Sequence, residues 1–192
     1  MAIDQSVEKA VNIPGVIEVR IQKLAQLFNS LDPSPFHERD LDHDAEEYIV
    51  GWARELPSDA PLRIVIHLPE EAARDAQARD LPSALANYFT ERAQFEQREL
   101  NELFRVGRRY LFVGSTALVI CLLGSQLARR TLGDGPLVTI MAESLVFFGW
   151  VANWKPIETF LYDWWPMKRR RDLFRRLAQA KVDLEQIPSK KS

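Results

Sequence analysis

The chain has 192 residues, room for one modest domain with a membrane segment beside it. Its single cysteine, Cys121, excludes a disulfide within the chain. The net charge of -2 hides a split: residues 1–104 hold 10 Lys+Arg against 20 Asp+Glu (net -10), and residues 105–192 hold 15 against 7 (net +8). The basic residues flank apolar runs instead of lining a soluble motif, which argues against nucleic acid and for an anionic surface as their partner.

The first ten residues, MAIDQSVEKA, lack a basic stretch followed by an apolar one. No cleaved signal peptide is expected, and the acidic part should stay in the cytoplasm. Ile17, Val19 and Ile21 alternate with Glu18, Arg20 and Gln22, the period of a strand with one wet face.

Residues 36–47, FHERDLDHDAEE, set two histidines among six carboxylates. His37, His43, Asp40 and Asp44 are the residues a metal would use there. The histidines lack the short ligand spacing of a zinc site, and no calcium-loop pattern is present. The favoured reading is an acidic helix start. Asp44 and Glu47 fit a capping box, while Asp40 and Asp42 add charge at the positive helix end. Ala45, Tyr48, Ile49, Trp52 and Leu56 then form one apolar helix face.

Leu62, Ile64, Ile66 and Leu68 give a second strand, with His67 on its polar side. Strand, helix, strand predicts a parallel, right-handed crossover. His67 has no Ser, Cys or Asp motif beside it for acid–base work. Asp80 and Pro82 start a further helix. Leu85, Tyr88, Phe89, Phe95, Leu100, Leu103 and Phe104 form its apolar stripe. It should run from about residue 82 through the first membrane span, on the order of 70 Å at 1.5 Å per residue. Two strands are too few for an independent sheet, so the rest should come from symmetric self-association.

Residues 110–127 (YLFVGSTALVICLLGSQL) carry no formal charge, and residues 136–154 (PLVTIMAESLVFFGWVANW) carry only Glu143. Each approaches the roughly 20 apolar residues that cross a bilayer. The short linker ARRTLGDG makes them antiparallel neighbours. Arg105, Arg108 and Arg109 before the pair, and Lys155, Lys168, Arg169, Arg170, Arg171, Arg175 and Arg176 after it, outnumber Arg129 and Arg130 between them. Both termini are therefore expected in the cytoplasm. Trp150, Trp154, Tyr162, Trp164 and Trp165 mark the exit, and Lys155–Arg176 should lie along the inner leaflet, bent at Pro156 and Pro166. Trp154, Trp164, Trp165, Lys168, Arg169, Arg170, Arg171, Arg175 and Arg176 are the expected contacts to anionic headgroups, at roughly 1 kcal/mol per charge.

Glu143, with Ser144 beside it and Ser125 and Gln126 on the first span, is the membrane-embedded polar group. A carboxyl there costs a few kcal/mol in lipid, so it should face a partner or water. It either bonds between helices and aids association or serves a cation or proton path. Gly114-Ser115 and Gly124-Ser125 could bring helices close.

Residues 34–53 (SPFHERDLDHDAEEYIVGWA), 62–69 (LRIVIHLP) and 154–171 (WKPIETFLYDWWPMKRRR) resemble small bacterial inner-membrane proteins. The resemblance implies that location and a cytoplasmic domain ahead of a two-span hairpin. It brings no activity and no catalytic residues.

The expected fold is α+β: a small cytoplasmic β-α-β-α domain over residues 1–104 whose last helix runs into a transmembrane hairpin at 105–154. A basic, aromatic juxtamembrane segment and tail occupy 155–192. No enzyme activity and no cofactor are expected. The leading expectation is a scaffold or accessory subunit that self-assembles through its cytoplasmic domain, in a homo-oligomer or a larger membrane complex. Behind it stand an oligomeric ion or proton channel or transporter component using Glu143, and a membrane-anchored ligand or metal sensor.

Overall fold

A computed structural model describes residues 15–58, 60–133 and 135–187. The expectations for residues 1–14, for Asp134 in the linker and for the last five residues lie outside the described residues. The fold is mixed and mostly helical. The chain divides into two compact units, residues 1–94 with 170–192, and residues 95–169.

The first unit is built on a three-stranded parallel sheet in the order β1 (Val16–Arg20), β2 (Arg63–Pro69), β3 (Lys181–Ile187). Ile17 lies opposite Ile64 and Val19 opposite Ile66; Val182 and Leu184 continue these rows on the far side of β2. Period-2 alternation puts all six on one face, where they join the core. The other face carries Glu18, Arg20, Arg63, His67, Lys181, Asp183 and Glu185 around the buried Val65. The third strand corrects the expectation that a second copy must complete the sheet. Val182, Asp183, Leu184 and Glu185 alternate as a strand should, and the chain supplies them itself.

Helix α1 (His43–Glu55) lies between β1 and β2, and α2 (Glu70–Ala78) follows β2 directly. The cap of α1 is Asp42, whose side chain accepts from the Asp44 amide at 3.1 Å. This displaces the expected Asp44–Glu47 capping box by two residues. The reason is the chain before it: Leu41 is buried and bridges Phe28, and the Asp42 amide donates to the Leu27 carbonyl at 2.9 Å. That pins Asp42 in the extended conformation an N-cap needs. Ile49, Val50 and Ala53 form the buried face of α1, whereas Tyr48 and Trp52 stand half exposed.

Helix α3 (Leu81–Leu132) is one 52-residue element. Asp80, at φ 51, makes the left-handed turn into it from α2, and its carboxylate accepts weakly from the Ser83 amide at 3.4 Å. Leu81, Leu85, Tyr88 and Phe89 enter the first unit's core, while Phe95 is exposed. From α6 (Trp164–Ala178), Phe174 and Leu177 enter the same core. Phe174 stacks on Phe89 at 6.4 Å.

Polar groups tie these helices together. Glu46 of α1 accepts from the Tyr88 hydroxyl at 2.8 Å and from Arg92 Nη2 at 2.9 Å. Arg92 in turn lies 5.7 Å from the Phe174 ring. Burial, and then the bond to Glu46, push the Tyr88 phenol well above its ordinary pKa.

The second unit is a helical hairpin of α3 and α4 (Pro136–Val151), continued by α5 (Trp154–Glu158), a π-turn at Thr159–Asp163 and the start of α6. Pro136 begins α4, whereas Pro156 and Pro166 lie in a run that is helical from Trp154 to Ala178, with the π-turn just ahead of Pro166. Phe104 stacks on Phe160 at 6.0 Å. Residues 154–163 therefore run back antiparallel along α3.

Candidate functional site

The hairpin seam is made by small residues. A Cβ placed on Gly149 would lie 3.1 Å from the Leu118 Cα and 3.2 Å from the Cys121 Cβ. One placed on Gly114 would lie 2.8 Å from the Ala152 carbonyl oxygen. Both glycines are required by close helix approach. Gly124 is not, since its nearest neighbour is a Leu145 methyl at 3.8 Å. Gly149, absent from the sequence expectation, takes that role.

The polar group built into the seam is Asn153, which sequence reasoning missed. It is buried, and its amide donates to the Gly114 carbonyl at 3.0 Å and to the Gly149 carbonyl at 2.9 Å. The signal was an amide in an apolar run, four residues after one glycine and beside another across the hairpin. Such a bond between helices contributes about 0.6–2 kcal/mol in hydrocarbon.

The four polar residues singled out in the spans do not converge. Ser125 is buried in the seam, and Gln126 is exposed. Glu143 and Ser144 sit on the outer face of α4, beside Ile140, Phe147 and Phe148. The Ser144 hydroxyl donates back to the Ile140 carbonyl at 2.7 Å, so it is satisfied within its own helix.

The basic, aromatic stretch divides between the units. In the second unit Trp154 is exposed, and Trp164 donates from Nε1 to the Phe160 carbonyl at 2.9 Å. Lys168 lies 5.6 Å from the Trp164 ring and Arg169 5.2 Å from the Trp165 ring, each a cation on an aromatic face. Arg170, Arg171, Arg175 and Arg176 belong to the first unit. Arg176 donates to the carbonyls of Pro57 at 2.6 Å and Ala60 at 3.1 Å, closing the loop before β2. Arg171 is mostly covered and pairs with Asp172 at 2.5 Å. On the other arm Arg105, Arg108 and Arg109 share one face just ahead of Phe112 and Val113.

The acidic loop is organised by Asp32. Its carboxylate accepts from the amides of Ser34 at 2.9 Å and Asp40 at 2.7 Å. The Ser34 side chain, then these amides, hold its pKa down at about 2. His37, Asp40, His43 and Asp44 all face solvent. Among the described residues no group of three or more His, Cys, Asp or Glu side chains is placed to hold a metal.

On the charged sheet face His67 stands between two carboxylates, with Nε2 3.6 Å from Glu18 and Nδ1 3.6 Å from Glu185. Below it Asp183 accepts from Arg63 and lies 3.3 Å from Lys181. Arg63 is the main cause that holds the Asp183 carboxyl below its usual range. Asp183 is bonded across the strands, whereas the buried His67 Nε2 has no hydrogen-bond partner among the described residues, and the row holds no nucleophile. Comparison with known protein families, curated proteins and solved structures finds no match.

Proposed function

We propose that the chain is an integral membrane protein of the bacterial inner membrane, with both termini cytoplasmic, that self-assembles as a scaffold or as an accessory subunit of a membrane complex. The observation that carries the membrane assignment is the inverted burial of the hairpin. Only 11% of the most apolar stretch of α3, and 17% of that of the second arm, is buried. A helix from a soluble core would bury most of such a stretch; here small residues face inward and large apolar ones outward. The Arg-rich flanks at Arg105–Arg109 and Lys168–Arg169 support the orientation.

Assembly is supported by the sheet. It is parallel, and among the described residues β1 and β3 are its edges; on β1 the Tyr48 hydroxyl already bonds the Glu18 carbonyl, which leaves β3 as the more open edge for a further strand. In gentle detergent the intact chain should run as a defined assembly. Amine cross-linking followed by mass spectrometry should then join Lys181 of one copy to Lys181 or Lys23 of another. An intact chain that is monomeric and brings no other protein down with it overturns the scaffold.

A further inference from the structure

We infer that α4 and the first residue of α5 form a seam for a second copy of this chain, in which Ile140, Glu143, Phe147, Trp150 and Trp154 meet the same residues of the other hairpin. The inference rests on the membrane-spanning reading above.

The five positions are spaced 3, 4, 3 and 4, the repeat that keeps one stripe of a helix against a parallel partner. The four large side chains are 61–70% exposed. Among the described residues Glu143, at the centre of the stripe, makes no hydrogen bond or ion pair. A carboxyl left against lipid costs a few kcal/mol, so a face that carries one is covered by something able to bond it.

A second copy does so without any further residue type. Two copies in one membrane share their orientation, so a two-fold axis along the bilayer normal brings residues of equal depth together. Glu143 then meets Glu143, and two carboxyls with a proton between them supply both donor and acceptor. A single polar residue in an apolar seam also fixes register and copy number. The neighbouring stripe, Leu137, Met141, Ser144, Phe148 and Val151, creates no such demand, because its one polar group is already bonded at home.

Single cysteines introduced into a Cys121→Ser background, oxidised in native membranes, test the seam. Ile140→Cys and Phe147→Cys should give disulfide-linked dimers in at least tenfold higher yield than Val138→Cys and Leu145→Cys. Adding Glu143→Gln should preserve the yield, since the amide still donates and accepts. Adding Glu143→Lys should lower it at least tenfold. Equal yields at all positions, yields that follow Met141→Cys and Phe148→Cys, or adducts with a different protein overturn the seam. Extraction of the same membranes with alkaline carbonate separates the two failures. Release into the supernatant removes the membrane reading itself, whereas retention without cross-links removes only the seam.

Discussion

Leu85 and Phe89 are buried in a mixed α/β core, while Phe112, on the same helix, is 74% exposed. The two units use α3 in opposite senses. The first hides its apolar side chains and shows charge. Between Gly107 and Asn153 the second hides glycine, alanine, a serine and an amide, and shows Leu, Ile, Phe and Trp. On the membrane-spanning reading proposed above, one helix meets two solvents, and the buried residues of each unit differ accordingly. Stability should accordingly come from different sources, apolar volume in the first unit and close approach with few polar bonds in the second.

Variants can break this contrast. The largest effect is expected for Phe174→Ala, which empties the site against Phe89 and Arg92 at the centre of the first unit. It should lower the unfolding free energy by about 3–5 kcal/mol in a denaturant titration followed by far-UV circular dichroism. A loss below 1 kcal/mol would mean that α6 is not part of that core. Gly149→Val should come next, at about 1–3 kcal/mol, because its Cβ and methyls press on the Leu118 backbone. Its signature is a lower melting temperature in detergent with the first unit's denaturant midpoint unchanged.

Asn153→Ala leaves the Gly114 carbonyl to its helix alone and should cost about 0.6–2 kcal/mol in the same melting assay. Tyr88→Phe removes one bond to Glu46, whose remaining partner is Arg92, and should cost about 1 kcal/mol in the first unit only.

The smallest effect concerns acid. The pKa of Asp32 is depressed to about 2 in the folded chain. Its contribution is therefore complete above the unfolded value of about 3.8 and fades as pH falls through the folded one. In Asp32→Asn the decline of stability between about pH 4 and pH 2 should be shallower, and an unchanged slope would assign the acid sensitivity elsewhere.

Much of the first unit was legible in residue order. Ile17 with Val19, and Ile64 with Ile66, alternate plainly because those strands are half wet, and such alternation survives in a single sequence. β3 carries the same alternation at Val182–Glu185, but its partner is far away in the chain and the arginines before it suggest a membrane-surface segment. Arg176 shows why charge misleads: it caps carbonyls at Pro57 and Ala60, a use that composition cannot reveal. Tyr48 and Trp52 look like core on a helical wheel drawn from Asp44. The core face is set instead by Ile49 and Ala53, and the Tyr48 hydroxyl bonds the Glu18 carbonyl at 3.2 Å. In the hairpin, Glu143 was found because charge is rare there. Asn153 was not, because it carries no formal charge and lies at the end of the apolar run, although it makes the bonds.

The Arg63–Asp183 pair closes over 120 residues of chain. During synthesis the middle strand leaves the ribosome long before β3 exists, and at about 5–20 residues per second it waits roughly ten seconds for its partner. The whole hairpin is made in that interval. A nascent chain therefore finishes its sheet only after both long apolar helices have emerged, so a product truncated within or just after the hairpin carries an open strand edge that proteases and chaperones can recognise.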